Sequence, residues 1–434
     1  MDISTLNQML ADGKYDEPGQ FPRLEQLKQM SFQFEIDFGL KKLPEENGIL
    51  LIRGARQYGK STWLEQQIKD TVRTFGSGTA FYLNGEYITD GDHLEKEIET
   101  LLAAFSKFAP VKRLFIDEVT AIAHWEIILK RLADRGRLSD VLVITTGSKA
   151  TDLRRASERL PGRKGKLSRS TYLFTPISYQ EYYNKCHQVL KEHTLIAYLL
   201  SGGSPVAGNT LAKEGTLPEY VIELTRDWVE GEIAASGRGR AALLNILTTL
   251  YRYGTTPVGQ AKLARESGLA NNSIAAGYIE LLNDLGCVVP AYPWDVNKKL
   301  LILRKPCKYH FTNLLVAIAY FDGRVRSIQD FLNLPLTEQG IWYEWLIAQE
   351  LLRRSALLGE TTFEPFAFYQ DKNHEIDFVT KQDYWLEVKR GKSSSLEFSW
   401  FANQFPKEKL IVVNTNQFET QHIKGIPMED FLKI

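Results

Sequence analysis

The chain has 434 residues, 44% hydrophobic and 24% charged, with 53 basic side chains against 53 acidic ones. Balanced charge excludes a global field drawing the whole protein to nucleic acid, so any such surface must be a local patch. Three widely spaced cysteines, the lack of any apolar run near about 18 residues, and a start (MDISTLNQML) without a basic-then-apolar pattern exclude a disulfide framework, a membrane helix and a secretory leader as expectations, and point to the cytoplasm.

Residues 1–20 are polar and punctuated by glycine and proline, and are expected to form a flexible arm. FPRLEQLKQMSFQFEIDFGL, from residue 21, reads as a helix leading into the first core. Five β-rich runs follow at 49–52, 79–83, 114–116, 141–145 and 171–174, alternating with helical stretches. That alternation predicts a parallel α/β sheet in a domain spanning 21–185. Residues 186–240 read as a helical linker or lid region, broken by Gly202-Gly203 and Pro205 and ending in SGRGR. Residues 241–335 read as a winged helix, with helices over 241–253, to Gly268 and over 272–285, then two strands around a turn at 295–297. The block 336–434 reads helix, three strands, helix, strand.

GARQYGKS, residues 54–61, fits G-x-x-x-x-G-K-[ST] in full between an apolar strand and a helical stretch. The glycines let backbone N–H groups turn toward phosphate oxygens, and the helix start adds partial positive charge. Gly54, Ala55, Arg56, Gln57, Tyr58, Gly59, Lys60, Ser61 and Thr62 form the expected cradle. Lys60 is expected to reach the β- and γ-phosphates, and the Ser61 hydroxyl to ligate Mg2+. RLFIDEV carries Asp117 to the end of an apolar strand, where it would hold the metal's water shell, and Glu118 follows to polarise the attacking water. VLVITTGSKA ends a further strand in hydroxyls, where Thr146 or Ser148 either orients that water or caps the strand. LRRASERLPGRKGKLSR, from residue 153, has seven basic residues and one acidic. It is either a solvated loop, a local nucleic-acid contact, or a cationic arm aimed at a γ-phosphate in cis or from a neighbouring subunit. Arg159 and Arg163 are the candidates for that arm, because a planar guanidinium matches phosphate oxygens.

In order, GARQYGKST, LFIDEV, TTGS, LPGRKGK and LFTPISYQEYY resemble the motifs of a large bacterial and archaeal family of AAA-type P-loop ATPases, over residues 20–185. The resemblance implies ATP as the nucleotide, and a C-terminal half with a winged helix and a nuclease-like fold. Two departures stand out. Tyr58 replaces a small or β-branched residue, which bears on nucleotide fit, and TPIS replaces PLSF, which bears on packing.

The presumed recognition helix, 272–285, has no lysine or arginine and carries Glu280 and Asp284, which opposes major-groove reading. Basic residues fall on the wing instead: Lys298, Lys299, Arg304, Lys305 and Lys308. The module is either a packing domain or a wing-mediated contact to DNA backbone.

HEIDFVTKQDYWLEVKRG, from residue 374, is the second constellation. Asp377 lies in one expected strand, and Glu387 and Lys389 lie two apart on one face of the next. A turn at 381–383 would bring Asp377 beside Glu387, giving an oxygen cage for Mg2+, with Lys389 positioning the water for phosphodiester hydrolysis and Glu344 adding a third carboxylate. The arrangement resembles the PD-(D/E)xK nuclease fold, with EID standing for the PD dipeptide. The competing reading is a solvated sheet face. Against it, Asp377 sits between Ile376 and Phe378, and Glu387 between Leu386 and Val388. His374 reads as turn chemistry, and Trp342, Trp345, Phe398, Trp400 and Phe401 as core.

The expected architecture is therefore α/β: a P-loop NTPase parallel sheet of AAA type, a helical segment, a winged helix and a restriction-endonuclease-like α/β domain. The expected function is Mg2+-dependent ATP hydrolysis that controls a nuclease-like domain in DNA processing or defence. The alternative is a nucleotide-gated switch or scaffold whose inactive nuclease-like domain binds a partner protein; a DNA-binding regulator is a third reading. An arginine acting in trans would require a homo-oligomer.

Overall fold

The computed structural model describes residues 1–147, 165–380 and 384–434. The chain divides into two compact units, Met1–Thr175 with Ser355–Thr361, and Pro176–Arg354 with Thr362–Ile434.

The first unit is built on five strands, β1 (Gly48–Arg53), β2 (Ala80–Asn84), β3 (Arg113–Asp117), β4 (Leu142–Gly147) and β5 (Thr171–Leu173). They lie in the order β2-β3-β4-β1-β5, and every pairing is parallel. Both faces are covered, which explains why the strands read as unbroken apolar runs. Ile49 and Leu51 enter a core with Leu94 and Ile98 of α4 (Gly91–Ala104) and Leu129 and Leu132 of α5 (Trp125–Asp134). Leu50 and Ile52 enter the opposite core with Leu64, Ile68 and Val72 of α3 (Lys60–Phe75). The period of two in the strand thus sorts neighbouring residues between two helical layers.

Two N-terminal expectations are corrected. The arm expected over 1–20 contains a helix, α1 (Ile3–Ala11), capped by the Asp2 side chain. Leu10 is fully buried, and the buried Asn7 amide both donates to the Tyr82 carbonyl and accepts from the Tyr82 N–H, each at 2.8 Å. Asn7 therefore occupies hydrogen-bonding groups of β2, which ends the sheet's strand order. Asn7→Ala strips both bonds from buried backbone groups and is expected to cost about 1–3 kcal/mol in urea unfolding. The helix expected from residue 21 stops early, as α2 (Pro22–Gln29). From Phe32 to Leu40 the even-numbered residues turn inward, with Phe34, Phe38 and Leu40 buried. That period of two suits extended chain, not helix.

In the second unit, helices Tyr179–Leu190, Thr194–Ser201, Pro205–Glu214, Glu219–Ala235 and Arg240–Tyr253 come first. Gly202 (φ 57°) and Gly203 (φ 72°) make the break before Pro205 in left-handed backbone, which suits glycine. Helices Gln260–Glu266 and Asn272–Asp284 follow, the latter capped by the Asn271 side chain. Strands β6 (Val288–Asp295), β7 (Leu300–Leu301) and β8 (Lys308–Phe311) then form an antiparallel set. β6 also pairs in parallel with β9 (Phe366–Gln370), which itself pairs with β10 (Glu375–Ile376). Strands on either side of residues 335 and 336 therefore share one sheet.

A further sheet runs β11 (Phe378–Val379), β12 (Trp385–Val388), β13 (Leu410–Asn414), β15 (Ile423–Pro427) and β14 (Phe418–Glu419). Its β12-β13-β15 centre is parallel and its two outer pairings are antiparallel. Trp385, Phe401, Phe405, Leu410 and Val412 form its core. Trp342, Trp345, Phe398 and Phe401 are buried, and the His374 ring stacks on Trp400 at 4.0 Å.

Cys186, Cys287 and Cys307 are free and buried, and burial pushes all three thiols up, that of Cys186 to about 12. Thiol titration at pH 8 is expected to find none of the three in folded protein and all three after denaturation. Rapid native labelling would contradict this packing.

Candidate functional sites

The phosphate loop runs from the end of β1 to the start of α3. Gly59 caps that helix at φ 95° and Gln57 stands at φ 67°, so the loop is held by left-handed backbone. Gly54 has no room for a side chain, since a Cβ there would lie 2.7 Å from the Phe174 carbonyl oxygen. Lys60 is buried, and its ammonium donates to the carbonyls of Gly54 and Ala55, both at 2.8 Å. Two of its three donors close the loop, leaving one for a ligand oxygen. Burial pulls this ammonium below its ordinary value, while Glu118 and Asp117 act in the other direction. Ser61 and Thr62 occupy the first turn of α3, and Arg56 is exposed. The Tyr58 ring is buried in the core cluster that also holds Trp63 and Phe174, so its bulk is taken up by packing.

β4 separates β1 from β3, so the loop, Thr146 and Asp117 stand at the same end of three adjacent parallel strands. In open parallel sheets ligands bind outside this carboxyl end. Asp117 is 1% exposed, and its carboxylate accepts a short hydrogen bond from the Thr146 hydroxyl. That hydroxyl also accepts from the Glu118 N–H at 3.2 Å. Thr146 thus positions the Asp117–Glu118 turn, where Glu118 takes φ 46°. Ser148, Arg159 and Arg163 lie outside the described residues.

One residue near this site escaped the sequence reading. Arg23, on α2, donates to Glu65 of α3 at 3.2 Å. Burial lowers its proton affinity, but Asp117, Tyr82 and Glu65 outweigh that and hold the guanidinium above its ordinary value. Nothing local in the sequence marks Arg23, because its partners belong to distant elements.

The second constellation lies in the second unit. Asp377 falls between β10 and β11, where its N–H donates to Glu387 at 3.2 Å and its carboxylate accepts from the Val388 N–H at 2.9 Å. The two carboxylates are therefore neighbours across the β11–β12 pair. Lys389 lies 2.6 Å from Glu387, and Glu344 arrives from the helix Leu336–Leu357.

Lys308, expected on the wing, starts β8 and brings its ammonium into this cluster. Its ammonium lies 2.6 Å from Glu375, 3.1 Å from Asp377 and 3.5 Å from Glu344. Its neighbour on the same face of β8, His310, meets Glu344 at 2.9 Å. The exposed basic residues of the expected wing are Lys298, Lys299, Arg304 and Lys305. The available signal was KYHF, where Lys308 and His310 alternate with buried Tyr309 and Phe311. Lys308 is 1% exposed, Glu387 4%, Asp377 6% and Glu344 7%.

Burial pushes Glu387 up to about 8, with Asp377 adding to the rise. Asp377 is also raised, by burial and then by Glu344. Burial acts upward on Glu344 too, but Lys308 and His310 overcome it and hold this carboxyl down at about 2. Among the described residues, no group of three or more His, Cys, Asp or Glu side chains is arranged to hold a metal ion. The expected Mg2+ set of Glu344, Asp377 and Glu387 is thus present as a cluster served by ammonium groups.

Residues 46–183 match the family model described as an AAA domain. This segment is a P-loop domain of AAA type. The matched span begins just before β1 and takes in the loop and the acidic pair Asp117–Glu118 at the end of β3. The chain is 24% identical over 360 residues to an uncharacterised protein of Methanocaldococcus jannaschii, covering 79% of this chain and 74% of that protein. It is similar to the Walker-type ATPase of Pyrococcus abyssi, at 14% identity and TM-score 0.43, covering 70% of this chain and 95% of that one. It is also similar to the Orc1 protein of Aeropyrum pernix, solved in complex with DNA, at 13% identity and TM-score 0.35, covering 72% and 95%. No helix among the described residues is long and apolar enough to cross a membrane.

Proposed function

We propose that this protein is a Mg2+-dependent ATPase whose nucleotide state controls its second unit. The observation that carries the reading is the joint placement of the Lys60 loop and the Thr146-held Asp117–Glu118 turn at neighbouring strand ends. The residues fit the nucleotide. Backbone N–H groups of 54–61 would bind phosphate oxygens, and Lys60 would lend its charge to the β- and γ-phosphates. Ser61 and Asp117 would hold Mg2+, which supplies charge neutralisation between the phosphates. Glu118 would polarise the attacking water, and Arg159 or Arg163, from this chain or a second copy, would complete the charge around the γ-phosphate.

For the second unit, the Lys308 ammonium among three carboxylates favours a binding role over a cutting one. The unit then acts as a switch or scaffold, with a nuclease-like arrangement of Asp377, Glu387 and Lys389 that engages a partner protein, or DNA through Lys298, Lys299, Arg304 and Lys305. The winged-helix reading of 241–335 rests on the order of helices and strands in the sequence and on the family resemblance, and a place in DNA processing or defence rests on the resemblance alone.

The test is incubation of plasmid and single-stranded DNA with Mg2+ or Mn2+, with and without ATP, alongside Lys60→Ala and Asp377→Ala. Intact DNA in every lane, with phosphate released from ATP except by Lys60→Ala, is expected. Metal-dependent cutting that disappears in Asp377→Ala would instead make the protein an ATP-regulated nuclease.

A further inference from the structure

We infer that the ammonium of Lys308 holds the place of a divalent cation in the second unit, so that the Glu344–Glu375–Asp377 cluster is complete without metal. This deepens the reading of that unit as a binding body, while the ATPase reading stands or falls on the first unit alone.

The geometry is that of a cation centre. Carboxylates from three places in the chain, the helix Leu336–Leu357, β10 and the β10–β11 junction, converge on one nitrogen at 3.5, 2.6 and 3.1 Å. Hard oxygens gathered around a metal make the same arrangement at shorter range. Here the positive charge is covalently attached to the protein.

The lysine is also held in place. Its backbone is fixed by β8–β6 pairing, with Lys308 opposite Ala291, and its ammonium lies 5.2 Å from the centroid of the Phe368 ring. At 1% exposure, it cannot leave the cluster by a surface rotamer change. The one remaining carboxylate of the constellation, Glu387, has its own ammonium, Lys389, at 2.6 Å. Each of the four acids therefore already has a cationic partner. A divalent ion entering between Glu344 and Asp377 would stand within a few ångströms of Lys308, where low-dielectric surroundings make like-charge repulsion large. His310 adds a second nitrogen at the same Glu344 oxygen, further filling the space around it.

The experiment uses the full chain carrying Asp117→Ala, which removes the metal-holding carboxylate of the first unit, in nucleotide-free buffer. Mn2+ binding is followed by the loss of the free-ion paramagnetic signal, and thermal melting is recorded with and without Mn2+. With Lys308 present, no stoichiometric Mn2+ binding and no Mn2+-induced rise in melting temperature are expected. Adding Lys308→Met is expected to lower the melting temperature and create a Mn2+-dependent recovery that Asp377→Asn abolishes. Stoichiometric Mn2+ binding with Lys308 in place, lost on Asp377→Asn, would overturn the inference, and this arm needs no lysine variant to fold. A folded Lys308→Met protein indifferent to Mn2+ would also count against it, because the vacated position would then not suit a cation.

Discussion

Lys60→Ala is expected to lower ATP turnover by about 10²-fold or more, since a preorganised charge at the transferring phosphoryl group is lost. The expectation rests on the position of this ammonium as well as its motif. Its two bonds to Gly54 and Ala55 brace the loop, so the substitution removes a charge and loosens the cradle together. Nucleotide affinity should therefore fall along with the turnover rate. Lys60→Arg is not expected to rescue either quantity, because a forked guanidinium cannot take the place of a compact ammonium between two carbonyls. Steady-state phosphate release and equilibrium binding of a fluorescent ATP analogue read the two effects separately. Turnover within twofold of the unsubstituted protein would remove Lys60 from the site.

The second large effect is on stability. Lys308→Met is expected to cost about 3–5 kcal/mol, the usual result of removing one partner from a buried ionic cluster. The cost arises because Glu344 and Asp377 stay buried after their shared ammonium is gone. Methionine keeps most of the apolar stem's volume, so lost packing against Phe368 contributes little. Pairing the change with Asp377→Asn removes one stranded charge and should recover part of the loss. Urea unfolding of the two single variants and the double variant gives the coupling directly. Additive losses would show that Lys308 and Asp377 do not share an interaction.

The first unit was largely legible because its signals are local. A glycine loop between an apolar strand and a helix, and an acidic pair ending another strand, need only a few consecutive residues to be seen. What escaped was long-range. Asn7 is 75 residues from Tyr82, and its amide bonds leave no trace in the surrounding polar sequence. The stretch from Phe32 was read as helix because helical signals around residues 22–29 continued into a segment whose inward residues recur every second position.

The same division explains the second unit. Asp377, Glu387 and Lys389 were found from neighbouring strands, and the structure brings the three together. In the sequence, Lys308 simply falls on the wing with Lys298, Lys299, Arg304 and Lys305. Pairing of β6 with β9, strands far apart in the chain, forms the sheet that links this region to Asp377 and Glu375. No local pattern announces that parallel pairing, and without it the ammonium and its three carboxylates look unrelated. Sequence motifs point to the carboxylates of this cluster, and the assembled side chains add the ammonium groups that pair with them.

We propose that Glu118, in the turn held by Thr146, polarises water against a nucleotide bound at the Lys60 loop. The most direct test of this is phosphate release from ATP by the full chain in Mg2+, compared with Glu118→Gln, with nucleotide binding measured on the same samples. Mg2+-dependent release by the unsubstituted protein is expected, with a Glu118→Gln protein that binds ATP normally but turns it over at least about 10²-fold more slowly. Undiminished release by Glu118→Gln, or no release by the unsubstituted protein despite tight ATP binding, would contradict it.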